Sequence, residues 1–185
     1  MYIRLASDLE YDSIVDGPGL RTVIWTQGCS HNCKGCHNPD THDFKAGALV
    51  EVNEILKELD SSYTNGITFS GGDPMFQPEA CGIIAKHAKK LGLDVWCYTG
   101  FTYEKLIEMN NPSINEFLQN IDILVDGPFI LEQRNLDLLF RGSNNQRLID
   151  IKKTFTNGEV TLLDENIYKL EKLSSKEFEK VPMFI

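Results

Sequence analysis

Three cysteines stand within eight residues as Cys29-x3-Cys33-x2-Cys36, and three thiols on one tight loop form a set of soft metal ligands. Soft sulfur suits zinc and iron–sulfur clusters alike. A cubane cluster held by three thiolates keeps one iron open, as a catalytic metal site must if it is to bind substrate directly. The competing assignment is a structural zinc completed by His31, His37 or His42. Structural zinc sites usually show paired short spacings, and no second Cys-x2-Cys or His-x3-His follows. Cys81 and Cys97 stand apart from the cluster and read as core cysteines, since a free cysteine behaves as a small hydrophobe. Five cysteines in this arrangement are not a secreted disulfide framework.

The elements that must position these thiols can be read from periodicity. Leu20, Val23, Ile24 and Trp25 predict a strand running straight into the cysteine loop. Val50 to Leu59 has helical spacing, Ile67–Phe69 reads as a second strand, and Ser70-Gly71-Gly72-Asp73-Pro74 follows as a glycine turn. Pro78 opens a helix to about Leu91, with Ile83, Ile84, Ala88 and Leu91 as its apolar positions. A third strand is predicted over 93–98, and Thr102 caps a short helix to Met109. An irregular, partly helical stretch follows to Asn120; then come a fourth strand over 121–125 and a short one around 147–151.

Strands alternating with helices imply βαβ units, a parallel sheet and right-handed crossovers. Chemistry in such sheets gathers where the strands end in loops. The cysteine loop, the glycine turn, Thr99-Gly100-Phe101 and Asp126-Gly127-Pro128-Phe129 all fall at such ends, so they are expected to face a single site. Residues 1–151 are read as the core domain, and 152–185 as an extension packed on it with a helical stretch near 170–179.

Composition bounds the rest. A chain of 185 residues, 42% hydrophobic and 24% charged, has the make-up of a soluble globular domain. No apolar run approaches the roughly 20 residues that span a bilayer, and MYIRLASDLEYD lacks the apolar block of a signal peptide; a cytoplasmic location without membrane attachment is expected. A net charge of −9 and a pI of about 4.9 argue against nucleic acid as partner, because neutralising phosphates needs clustered Lys and Arg.

Gly28-Cys29-x3-Cys33-x2-Cys36-His37-Asn38 followed by Ser70-Gly71-Gly72-Asp73-Pro74 resembles the radical S-adenosylmethionine (SAM) superfamily, in which a three-cysteine loop and a glycine-rich motif occur in this order. Val15-Asp16-Gly17-Pro18-Gly19-Leu20-Arg21 is similar to the glycyl-radical-enzyme activases. Trp96–Phe101, Leu124–Phe129 and Arg141-Gly142-Ser143-Asn144-Asn145-Gln146 resemble the activases of anaerobic (class III) ribonucleoside-triphosphate reductase. Gly35 before the third cysteine fits that branch, whereas the pyruvate formate-lyase activases favour an aromatic residue there. The resemblance spans about residues 12 to 151.

It implies an α/β fold, a partial open (βα) barrel, without added cluster domains. It also implies one 4Fe-4S cluster on Cys29, Cys33 and Cys36 and SAM chelating the open iron. An electron donor such as flavodoxin would reduce the cluster, and the partner would be the anaerobic reductase, from whose backbone glycine a 5′-deoxyadenosyl radical takes hydrogen. Gly71 and Gly72 would let the backbone approach SAM, and Asp73 would accept from its ammonium. Gly35, Cys36 and His37 would lie near the adenine, Thr99 and Asp126 would meet the ribose or methionyl part, and Arg141 would reach the SAM carboxylate or the partner. Other outcomes stay open: an activase of another glycyl-radical enzyme, a small-molecule radical SAM synthase such as a deazapurine ring-contraction enzyme, or a non-catalytic iron–sulfur or zinc module.

Overall fold

The computed structural model describes residues 1–166 and Tyr168, and among them eight strands form one sheet. The strands are β1 Tyr2–Leu5, β2 Glu10–Ser13, β3 Arg21–Thr26, β4 Ala48–Glu51, β5 Gly66–Gly71, β6 Asp94–Tyr98, β7 Ile123–Asp126 and β8 Arg147–Asp150. Their order is β4-β1-β3-β5-β6-β7-β8, with β2 also paired to β3. The central four, β3, β5, β6 and β7, run parallel. The fold is therefore a mixed α/β sheet with helices.

Five helices accompany it among the described residues: α1 Val52–Ser61, α2 Pro78–Lys90, α3 Tyr103–Glu108, α4 Pro112–Gln119 and α5 Ile151–Asn157. Local chemistry sets their ends. Pro78 and Pro112 occupy first turns, where a missing N–H costs nothing. Asn111 Oδ1 accepts from the N–H groups of Ser113 and Ile114, and Thr102 Oγ1 from Lys105. Asp150 caps α5, which closes on Gly158 at φ +73°.

All five helices contribute to one apolar core with Ile24, Phe69, Cys97 and Leu124 of the sheet. On α2 the buried residues are Ala80, Cys81, Gly82, Ile84, Ala85 and Ala88, while the expected Ile83 and Leu91 are exposed. This small-residue face lets α4 come close: a β-carbon on Gly82 would stand 3.6 Å from Phe117 Cα. A second cluster on Trp96, Ile123, Val125 and Leu148 packs under Phe140 and Leu163.

The sheet differs from the all-parallel expectation at both edges. β8 is antiparallel to β7, Asp126 opposite Arg147, because the intervening loop leaves and returns at the same end of the sheet; a parallel return needs a crossover. On the other side β1 runs antiparallel to β3 and β4, and β2 antiparallel to β3. The polar tetrapeptide of β2, EYDS, carries no strand signal of its own. Val50 and Glu51 belong to β4, so α1 begins two residues later than its spacing suggests. Helix α5 was not expected, and the stretch near 170–179 lies outside the described residues.

Candidate functional site

The four parallel strands end around one cavity of ≈ 680 Å³. Its wall takes Cys29, Cys33, Cys36 and His37 from the loop after β3, Gly71 and Gly72 from the end of β5, Thr99 and Gly100 after β6, and Gly127 and Phe129 after β7. Arg134, Arg141 and Gln146 from the loop before β8 close the far side.

The cysteine loop is held by its own backbone. Gly28 N–H donates to Thr41 O at 2.8 Å and Cys29 N–H to His42 O at 3.1 Å. Gln27 Nε2 donates to Asp40 O and Asp43 O at 3.1 and 2.7 Å, gathering the returning chain. Cys36 N–H meets Cys33 O at 3.1 Å across a turn in which Gly35 has φ +76°. All five cysteines are free thiols; the three of the loop are half-buried and Cys81 and Cys97 are buried. Burial pushes the Cys29 and Cys33 thiols above their usual range, and the nearby Asp73 charge adds to it. Burial does the same, more strongly, to Cys97.

The three candidate zinc histidines have separate engagements. His31 Nε2 sits 2.6 Å from Asp73 Oδ2. The His37 ring packs on Phe129 with centroids 4.9 Å apart. His42 Nε2 lies 3.4 Å from Cys36 Sγ, which also accepts from the Asn38 N–H at 3.4 Å. Among the described residues no three His, Cys, Asp or Glu side chains are grouped as ligands of a single metal ion. Three half-buried thiols on one cavity, one of them already accepting the Asn38 N–H, suit an iron–sulfur cluster, whose sulfurs are commonly hydrogen-bonded.

The glycine turn is anchored to the cysteine loop by its backbone. Gly72 N–H donates to Thr26 O at 2.7 Å and Asp73 N–H to Gly28 O at 3.0 Å, so the turn is laced to the root of the cysteine loop. A β-carbon on Gly71, at φ +100°, would stand 2.5 Å from Thr26 O, and one on Gly72 2.5 Å from Gly28 O. The missing side chains make room for protein backbone, although both residues also line the cavity.

Asp73 is 1% exposed and absent from the cavity wall. Its Oδ2 accepts from His31, from Thr99 Oγ1 at 2.9 Å and from Gly100 N–H at 2.9 Å, and Oδ1 from Met75 N–H at 2.9 Å. A carboxylate with four donors ties the cysteine loop, the glycine turn and the loop after β6 together.

Asp126 is likewise 1% exposed and off the wall. It accepts from Tyr103 N–H at 2.8 Å and from Nε and Nη2 of Arg147, which also binds Glu104 at 2.8 and 2.9 Å. Gly35 also stays off the wall: a β-carbon there would meet Leu131 at 3.1 Å. Arg141 does reach the cavity but pairs with Glu165 at 2.8 Å.

The 126–129 and 141–146 motifs form one unit, a pairing that no local sequence pattern shows. Asn145 Nδ2 donates to Pro128 O at 2.7 Å and Gln146 Nε2 to Gly127 O at 3.2 Å. Gln146 Oε1 accepts from the N–H groups of Gly142 and Ser143. The amide-rich 141–146 segment thus holds the 126–129 turn against the cavity. Trp25 and Tyr98 were also not named as site residues, yet both line it; their alternation with inward-facing neighbours was the available signal. Burial raises the Tyr98 phenol far above its usual range.

Comparison with known proteins agrees with this chemistry. A protein-family model described as "4Fe-4S single cluster domain" matches residues 15–149. The anaerobic ribonucleoside-triphosphate reductase-activating protein of Enterobacteria phage T4 is 34% identical over 154 residues, 76% of this chain and 93% of the relative. Its counterpart in Escherichia coli K12 is 34% identical over 143 residues, 72% and 90% of the two chains. That of Salmonella typhi is 33% identical over 142 residues, 72% and 90%. Among solved structures, QueE from Escherichia coli overlays with a TM-score of 0.46 at 14% identity, over 55% of this chain and 54% of that one; so slight a likeness carries no argument.

Proposed function

Because the chain belongs to the 4Fe-4S single-cluster family and to that of the anaerobic ribonucleoside-triphosphate reductase-activating proteins, we propose that it is a radical SAM activase that installs the glycyl radical on the anaerobic reductase. The observation that carries this reading is the convergence of three half-buried thiols with the Gly71-Gly72 turn and Thr99 on one cavity. A 4Fe-4S cluster supplies one electron that breaks a carbon–sulfur bond of SAM, yielding methionine and the 5′-deoxyadenosyl radical that takes hydrogen from a backbone glycine of the partner.

The chain's own residues bind and shield. Cys29, Cys33 and Cys36 would hold the cluster, whose remaining open coordination would be available to SAM. Backbone at Gly71 and Gly72 and the Thr99 side chain border the methionyl part. His37 and Phe129, their rings inclined at 49° with centroids 4.9 Å apart beside Cys36, offer ring surface for an adenine to pack on. Trp25, Phe129 and the 141–146 segment limit water on the radical side, and excluding water protects a reactive intermediate. We read the sheet as the partial open barrel of the radical SAM type, residues 1–151 as its core, and a small reductant such as flavodoxin as the electron source. No helix among the described residues is long and apolar enough to cross a membrane.

The test is anaerobic reconstitution with iron and sulfide, then dithionite and SAM. The reading requires about three cysteine ligands per cluster and release of methionine and 5′-deoxyadenosine in equal amounts. A protein that takes up iron and leaves SAM intact would be an electron carrier instead.

A further inference from the structure

His31 lies between two of the three thiol ligands in the chain and lines the same cavity as they do. Nε2–H donates to Asp73 Oδ2 at 2.6 Å, and the ring packs edge-on against Phe101 at 4.4 Å and tilted against Phe76 at 5.9 Å. The Gly100 backbone leaves just enough space: a β-carbon there would stand 2.4 Å from His31 Cδ2. The same Asp73 oxygen holds Thr99 Oγ1 and the Gly100 N–H. One buried carboxylate therefore joins the cysteine loop, the glycine turn and the loop after β6, and His31 is the cysteine loop's side-chain connection to it.

From this geometry we propose that His31 is a positioning residue for SAM: its bond to Asp73 fixes the cysteine loop in register with the Gly71-Gly72 and Thr99 side of the cavity. The inference rests on the radical SAM reading and deepens it. The backbone bonds at Gly28, Cys29 and Cys36 hold the thiols without His31, so cluster assembly alone does not need the tie. Chelation of one iron by a ligand that also touches Gly72 and Thr99 does need it, since the two halves of that ligand's site sit on different strands. Residues that orient metal ligands from outside typically change affinity or activity by roughly 10–100-fold when replaced.

Two substitutions separate packing from hydrogen bonding. His31→Phe keeps a ring against Phe101 and Phe76 and loses the donor; His31→Gln loses the ring and keeps an N–H that reaches Asp73. The readouts are iron and sulfide content, SAM affinity by equilibrium dialysis, and the change that SAM induces in the electron paramagnetic resonance spectrum of the reduced cluster. We expect full iron content in both variants. SAM affinity should fall about tenfold, with a muted spectral response, in His31→Phe, and both should recover in His31→Gln. Wild-type SAM binding and spectra in His31→Phe would overturn the proposal. So would loss of the cluster in both variants, which would make His31 a residue for assembly rather than register. A wild-type protein that holds its cluster and ignores SAM would sink the underlying reading, and this inference with it.

Discussion

Gly72 faces the carbonyl of Gly28 so closely that a β-carbon built on it would stand 2.5 Å from the Gly28 oxygen. The contact is backbone against backbone, so neither partner can swing aside as a side chain would. Gly72→Val must therefore displace the root of the cysteine loop as well as the glycine turn. We expect it to lose most of its iron and about 1–3 kcal/mol of stability, the usual cost of overpacking. Full iron content with only SAM binding lost would show that the glycine serves the ligand alone.

The cysteines divide by burial. Replacing Cys29, Cys33 or Cys36 by Ala should abolish the cluster absorbance and SAM cleavage together. Cys81→Ala and Cys97→Ala, both inside the core at 0% exposure, should keep both activities and lose about 1 kcal/mol each. Iron content and 5′-deoxyadenosine yield are the measurements, and an active Cys33→Ala protein would end the ligand assignment.

How far the sequence could be read follows from the range of the interactions involved. The parallel strands were legible because each pairs an apolar run with an immediate Gly, Thr or Asp turn, as in Ile67–Gly72. Strand β2 was not, because EYDS becomes a strand only by pairing with β3. The direction of β8 depends on where a long loop returns, which no local pattern records. At the site, the gathering of loops at strand ends was visible, whereas the work of individual side chains was not. The bonds of Asp73 could not be read, because its partners His31 and Gly100 lie 42 and 27 residues away in sequence. The pairing of Asp126 with Arg147 across the β7–β8 pair is equally invisible in the sequence.

That commitment gives a prediction for Asp126. Removing the carboxylate in Asp126→Ala strands the Tyr103 N–H and leaves Arg147 only Glu104, at a cost of about 2–4 kcal/mol. The denaturation midpoint should fall accordingly, while SAM affinity of the folded fraction stays within about twofold, a difference too small to represent a lost charged contact. A large loss of SAM affinity at unchanged stability would return Asp126 to the ligand.

Asp122 couples the fold to pH. Burial alone would raise its carboxyl, but hydrogen bonds from Lys89 at 2.6 Å and Val95 N–H at 2.8 Å, with Lys152 nearby, outweigh that and hold it below the usual carboxylate range. Since the folded chain binds this proton more weakly than the unfolded one, the stabilisation is complete above about pH 4 and lost as pH falls through the lower folded value. Asp122→Asn should cost about 1–2 kcal/mol at neutral pH. Its denaturant midpoint should converge on that of the wild type toward about pH 2. A gap independent of pH would contradict the charge as its source.

The most direct measurement of the central claim is the radical itself. The reconstituted chain, SAM and a reductant are incubated under strict exclusion of oxygen with the cognate anaerobic ribonucleotide reductase and, separately, with pyruvate formate-lyase, and each mixture is examined by electron paramagnetic resonance. The account predicts a glycyl-radical signal and ribonucleotide reduction with the reductase, and no signal with the lyase. A radical on the lyase alone, or SAM cleavage that leaves both proteins without one, would contradict it.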